Sequence, residues 1–210
     1  EYHKTQHYYR ENLRLSVWSS TLNLAVIIIM LATGGFALID SIARSLSGNN
    51  IIIALIFIGI IGVASELINL PFAWYDTFVI EKKFGFNTMT KRTFITDQLK
   101  AWFISLLIGI PVLAIVTWIY YRIEKGFWIY AWLLVTALTV FINFFYSELI
   151  VPLFNKQTPL VESPLRTKIE EFAARTGFRL KNIFIIDGSK RSTKANAYFS
   201  GFGSKKRIVL

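Results

Sequence analysis

Apolar residues run through this chain in long blocks separated by short charged stretches. Residues 15–39 carry no charge for 25 positions, residues 45–65 for 21, residues 101–121 for 21 and residues 126–147 for 22. Past Glu66 the apolar pattern of the second block runs on to Trp74. A helix of ~20 residues crosses a ~30 Å hydrocarbon core, so each block predicts one membrane span. Helices buried in a soluble protein rarely stay free of charge over such lengths. Pro111 lies inside the third block and predicts a kink or a freed backbone carbonyl there.

After the fourth block the pattern changes. Ser163 reads as a helix N-cap, with Pro164 at the first helical position. Leu165, Ile169, Phe172 and Ala173 then share one apolar face, and Gly177 is placed to end the helix. "NIFIID" (182–187), "NAYF" (196–199) and "RIVL" (207–210) read as short strands, the last two around the turn "SGFGS" (200–204). One helix and three short strands bury too little apolar surface to stand alone. The expected fold class is therefore mainly α, with multipass membrane helices followed by the start of a small α+β domain. The expected boundaries are 1–153 for the helical part and 154–210 for the α+β part. The second and third spans are joined by a loop over residues 75–100, and the stretch 70–94 is too long and too aromatic for a simple turn, so it is expected to pack against something.

Composition agrees with the pattern: the chain is 54% hydrophobic with mean hydropathy +0.48. Charge orients it. Before the first block lie Lys4, Arg10 and Arg14, and between the second and third lie Lys82, Lys83, Lys91, Arg92 and Lys100. The tail from Phe154 onward holds 12 Lys/Arg against 4 acids. Arg44, Arg122 and Lys125 alone fall on the opposite side, a bias of 20 against 3 with the tail and 8 against 3 without it. By the positive-inside rule, both visible termini and the 75–100 connection face the cytoplasm. No block reads as a signal peptide, and the absence of Met at position 1 suggests that the gene product starts earlier. With no cysteine, disulfides, thiolate metal sites and a Cys nucleophile are excluded.

Candidate chemistry is sparse. His3 and His7 stand four residues apart, a spacing that suits two metal ligands. The residues between them are Lys-Thr-Gln, with no carboxylate to serve as base, so a solvated juxtamembrane helix is the favoured reading. Phosphate-binding loops, G-x-S-x-G and HExxH are all absent from the chain. Glu66, Asn69, Asn143 and Glu148 are polar groups within or at the ends of spans. They are candidates either for lining a wet interior chamber or for interhelical hydrogen bonds. Lys and Arg in the tail are interleaved with strand-forming residues, which points to anionic lipid headgroups as partner and away from nucleic acid.

Three stretches carry a resemblance. "LPFAWYDTFVIEKKFGFN" (70–87), "VPLFNKQTPL" (151–160) and "DGSKRSTKANAYFSGFGSKKRIVL" (187–210), in this order and spacing, resemble the CaaX prenyl proteases. These are the Ste24-type branch of the M48 integral-membrane zinc metalloproteases. The resemblance implies seven membrane helices around a water-filled chamber, one of them preceding Glu1, with a protease domain on the cytoplasmic side. It implies zinc, held by an HExxH helix and a further Glu beyond Leu210, polarising the scissile carbonyl and activating water. It also implies that Asn196, Ala197, Tyr198 and Phe199 hold an extended peptide by strand addition. Lys194 stands where family members often carry His. The function so implied is a membrane zinc endopeptidase acting on CaaX-like, prenylated or membrane-associated peptides. The alternatives are a non-catalytic membrane scaffold, because this chain lacks zinc ligands, and a transporter built around Glu66 and Glu148. The short loops favour a bacterial inner membrane over the endoplasmic reticulum, with membrane-protein quality control as a possible role.

Overall fold

The structure is a computed structural model that describes residues 2–123, 125–178, 180–200 and 206–210. Its helices and strands form two compact units, one from Glu1–Asn87 with Phe103–Trp128 and the other from Thr88–Trp102 with Ile129–Leu210. Four helices are long and apolar enough to cross a membrane.

In the first unit, helix α1 (Tyr2–Ala32) is followed by the short helix α2 (Gly35–Leu46) and then α3 (Asn50–Tyr75). The first uncharged block, residues 15–39, was expected to form one span, but it breaks at Thr33–Gly34. Gly34 has φ +71°, a left-handed conformation that costs a glycine little and every other residue more. Charge counting cannot see such a break, because every residue around it is neutral. The amphipathic α2 packs on α3 through Ala43, which is fully buried. Asn49 starts α3 by accepting the amides of Ile51 and Ile52 at 2.9 and 3.4 Å. Beyond Tyr75 the helix continues as a π-helical turn, Asp76–Glu81.

Helix α4 (Lys91–Arg122) begins within the expected 75–100 connection and runs unbroken through Pro111. Thr90 caps it, its hydroxyl accepting the Thr93 amide at 3.1 Å. The connection is therefore largely helical. Charged residues mark where the hydrocarbon ends, and a helix continues past them into water. In the first unit, the segment from Tyr8 to Glu11 of α1 meets residues 81–86. The Tyr8 hydroxyl donates to Glu81, its ring lies edge-on to Phe84 and Phe86, and Lys83 pairs with Glu11 at 2.8 Å.

In the second unit, α5 (Phe127–Phe145) passes into a π-helical turn, Tyr146–Ile150, and the single turn α6 (Val151–Phe154). A four-stranded sheet follows, in the order β1 (Gln157–Pro159), β2 (Leu180–Ile186), β4 (Lys206–Val209), β3 (Tyr198–Ser200). β1 and β3 run antiparallel to their neighbours, and β2 runs parallel to β4. Ile183 and Val209 are its fully buried centre. Helix α7 (Pro164–Arg175) packs against β2. The Ser163 hydroxyl accepts the Arg166 amide at 3.3 Å. At its other end Gly177, with φ +65°, and Phe178 donate to the carbonyls of Ala174 and Ala173 at 3.2 and 2.8 Å. That pair of bonds is a Schellman stop.

All three expected strands differ in extent, β4 by one residue at each end, and one strand was not foreseen. "NAYF" was expected to be extended from Asn196, whereas β3 starts at Tyr198. The Asn196 Oδ1 accepts the amide of Ala197 at 2.9 Å, a local bond that competes with a ladder bond at that amide. β2 starts two residues earlier than expected and ends one earlier. β1 had no strand signal. The expected turn at 200–204 lies outside the described residues from Gly201 onward.

Candidate functional site

β3 lies at one edge of the described sheet. On one side Tyr198, Phe199 and Ser200 pair with Val209, Ile208 and Arg207 of β4. The Phe199 side chain is 73% exposed, and an apolar groove of ≈ 370 Å³ runs beside the strand. Phe172 and Ala173 from α7, Phe178 after it, Tyr198 and Phe199 from β3 and Ile208 from β4 line this groove. Lys206 Nζ stands over the Phe178 ring at 4.7 Å, so part of the tail's basic charge rests on aromatic faces. The strand with its groove forms a surface suited to an extended peptide: main-chain groups at the edge and apolar walls next to them.

The segment leading to β3 is fastened at its start. Asp187 Oδ1 accepts both the amide and the hydroxyl of Ser189, at 3.1 and 2.6 Å. These bonds hold the Asp187 carboxyl below its ordinary value. Two residues on, the Arg191 guanidinium grips Asp97 of α4 with two bonds, Nε to Oδ2 at 2.7 Å and Nη2 to Oδ1 at 2.9 Å. Nη1 donates to Asn155 Oδ1 at 2.7 Å. Thr88 adds main-chain links, its amide donating to the Arg191 carbonyl at 3.3 Å and its hydroxyl to the Ser189 carbonyl at 2.5 Å. Sequence reasoning missed this cluster, since Arg191 read as one more basic residue of the tail. One signal pointed to it. Asp97 is the only acid between Glu81 and Glu124, set among six bases.

The remaining candidates are dispersed. Asn69 of α3 and Asn23 of α1 exchange side-chain bonds at 2.9 and 3.3 Å, with Ser19 donating to Asn69 at 3.3 Å. Glu66 is exposed on α3. In the second unit, Asn143 is exposed and donates to the Thr139 carbonyl at 2.8 Å. Glu148 forms an ion pair with Arg207 of β4, whose guanidinium also lies over Phe184 at 5.2 Å. Burial lowers the Arg207 guanidinium from its usual value. His3 and His7 are both exposed, and among the described residues no group of three His, Cys, Asp or Glu could hold a metal.

Known proteins resemble the chain throughout. Residues 1–156 match the family model described as "CAAX prenyl protease N-terminal, five membrane helices", and residues 159–210 match peptidase family M48. CAAX prenyl protease 1 of Saccharomyces cerevisiae is 34% identical over 220 residues, covering 100% of this chain and 49% of that protein. The CAAX prenyl protease 1 homolog of Oryza sativa subsp. japonica is 44% identical over 162 residues, covering 77% of this chain and 38% of its own length. The crystal structure of S. mikatae Ste24p superposes with a TM-score of 0.91 at 37% identity, over 99% of this chain and 50% of that one. The chain thus spans half or less of the length of these relatives.

Proposed function

This chain belongs to the CAAX prenyl protease family of the M48 peptidases, and on that premise we propose that it supplies membrane helices and the substrate-holding strand of a membrane zinc metalloendopeptidase. The observation that carries the reading is β3, paired with β4 on one side and lying at the sheet edge on the other, with the apolar groove beside it. A peptide added to such an edge gains main-chain hydrogen bonds, and its alternate side chains are read in neighbouring pockets. The backbone of Ala197, Tyr198 and Phe199 and the Asn196 Nδ2 group are the peptide-binding groups in this reading. Glu66, Asn69, Asn143 and Glu148 are its chamber-lining candidates.

Among the described residues no cluster of ligands fits a zinc site. By the resemblance, the HExxH helix and its downstream Glu belong to the part of the relatives' length that this chain does not span. The substrates are CaaX-like or membrane-associated peptides at the cytoplasmic face. The scaffold alternative has less support, because residues 159–210 match a peptidase family.

Full-length protein tests the strand. Cleavage of a farnesylated or unfolded peptide should be lost to a chelator, and Asn196→Ala should raise KM about tenfold. If Asn196→Ala leaves both kcat and KM unchanged, the substrate-strand role is wrong. Orientation follows from the charge bias, with both ends of the chain cytoplasmic. The chain has no cysteine, so single Cys probes read topology cleanly. A Cys at Lys82 should react from the cytoplasmic side and one at Gly48 from the other; the reverse pattern would invert the assignment.

A further inference from the structure

We propose that the Arg191–Asp97 ion pair is a latch that positions the peptide-binding strand, so that both are positioning residues for substrate; the inference rests on the reading of β3 given above. Three parts of the chain meet at this pair: residues 88–97, Asn155, and the turn 187–192. Arg191 and Asp97 side chains are only 22% and 17% exposed. The contact is a two-pronged fork, which fixes direction as well as distance. From the latch to β3 the chain passes through residues 193–197, all exposed and outside helix or strand. That run includes Asn196 and Ala197, the first of the proposed peptide-binding groups. Its end nearer the C-terminus is set by the pairing of Tyr198 with Val209, and its other end follows the turn that Arg191 holds.

Asp97 sits on α4, the helix that continues into a candidate span. The edge strand is thereby referenced to the first turns of α4, residues 91–102, which belong to the same compact unit. A surface ion pair contributes little, whereas removing one partner of a largely buried fork leaves the other charge uncompensated and frees the turn to move.

Hydrogen exchange and peptide kinetics on the full-length protein test the latch together. Asp97→Asn should speed exchange of the amides at 193–199 and raise KM about tenfold, with kcat and metal content changing less. Arg191→Lys should act in the same direction, because an ammonium cannot reproduce the fork; it also carries the test if Asp97→Asn fails to fold. The double exchange Asp97→Arg with Arg191→Asp should recover part of the lost KM. A folded variant with unchanged exchange at 193–199 overturns the latch, even if its thermal midpoint falls. Faster exchange with unchanged KM instead removes the substrate-strand reading on which the proposal rests.

Discussion

Asn69 shows how a single polar residue in an apolar helix can be used. Its carboxamide trades bonds with Asn23 across α1 and α3, and Ser19 joins the same acceptor. In a bilayer, where no water competes, such a bond between helices contributes about 0.6 kcal/mol on average and rarely exceeds ~1.7 kcal/mol. Asn69→Leu should therefore destabilise the protein by roughly 1 kcal/mol, read as a lower midpoint in a denaturing-detergent titration. An unchanged midpoint would mean that the amide contributes nothing to packing. The sequence marked Asn69 as unusual because a polar group in a span has a cost. It could not choose between a chamber and a helix–helix bond, since that depends on what faces the residue. Arg191 was hidden for the opposite reason: one arginine in a basic tail has no local mark, and its partner Asp97 lies 94 residues earlier.

Elements were legible where their signals are local. The start and stop of α7 follow from Ser163, Pro164 and Gly177, each of which acts on the backbone within a turn of itself. β1 had no such signal: Gln157, Thr158 and Pro159 form a strand because β2 presents a free edge to them. Sheet pairing is a tertiary fact. The centre of that sheet is Ile183, fully buried between β1 and β4. Ile183→Ala should cost about 3 kcal/mol through lost burial and the cavity left behind. Hydrogen exchange should then show β1, β2 and β4 opening together more often. If only residues next to Ile183 respond, the sheet is not one cooperative unit.

At the scale of the molecule, charge-free blocks located the four membrane-length helices, although α1 ends at Ala32, before its block does, and α4 begins at Lys91, ahead of its block. Blocks of neutral residues measure hydrocarbon, and helices are bounded by caps and glycine. The chain joins these helices to a sheet in which β3 is the outermost described strand, and the proposed function assigns that edge to the substrate. The central claim is that β3 receives the substrate peptide. Photo-crosslinking tests it most directly. A benzophenone amino acid placed at the exposed Phe199 position of the full-length protein should form adducts with a substrate peptide, and an excess of unlabelled peptide should suppress them. No adduct at that position, with competable crosslinking at a surface remote from β3 and its groove, would contradict the account.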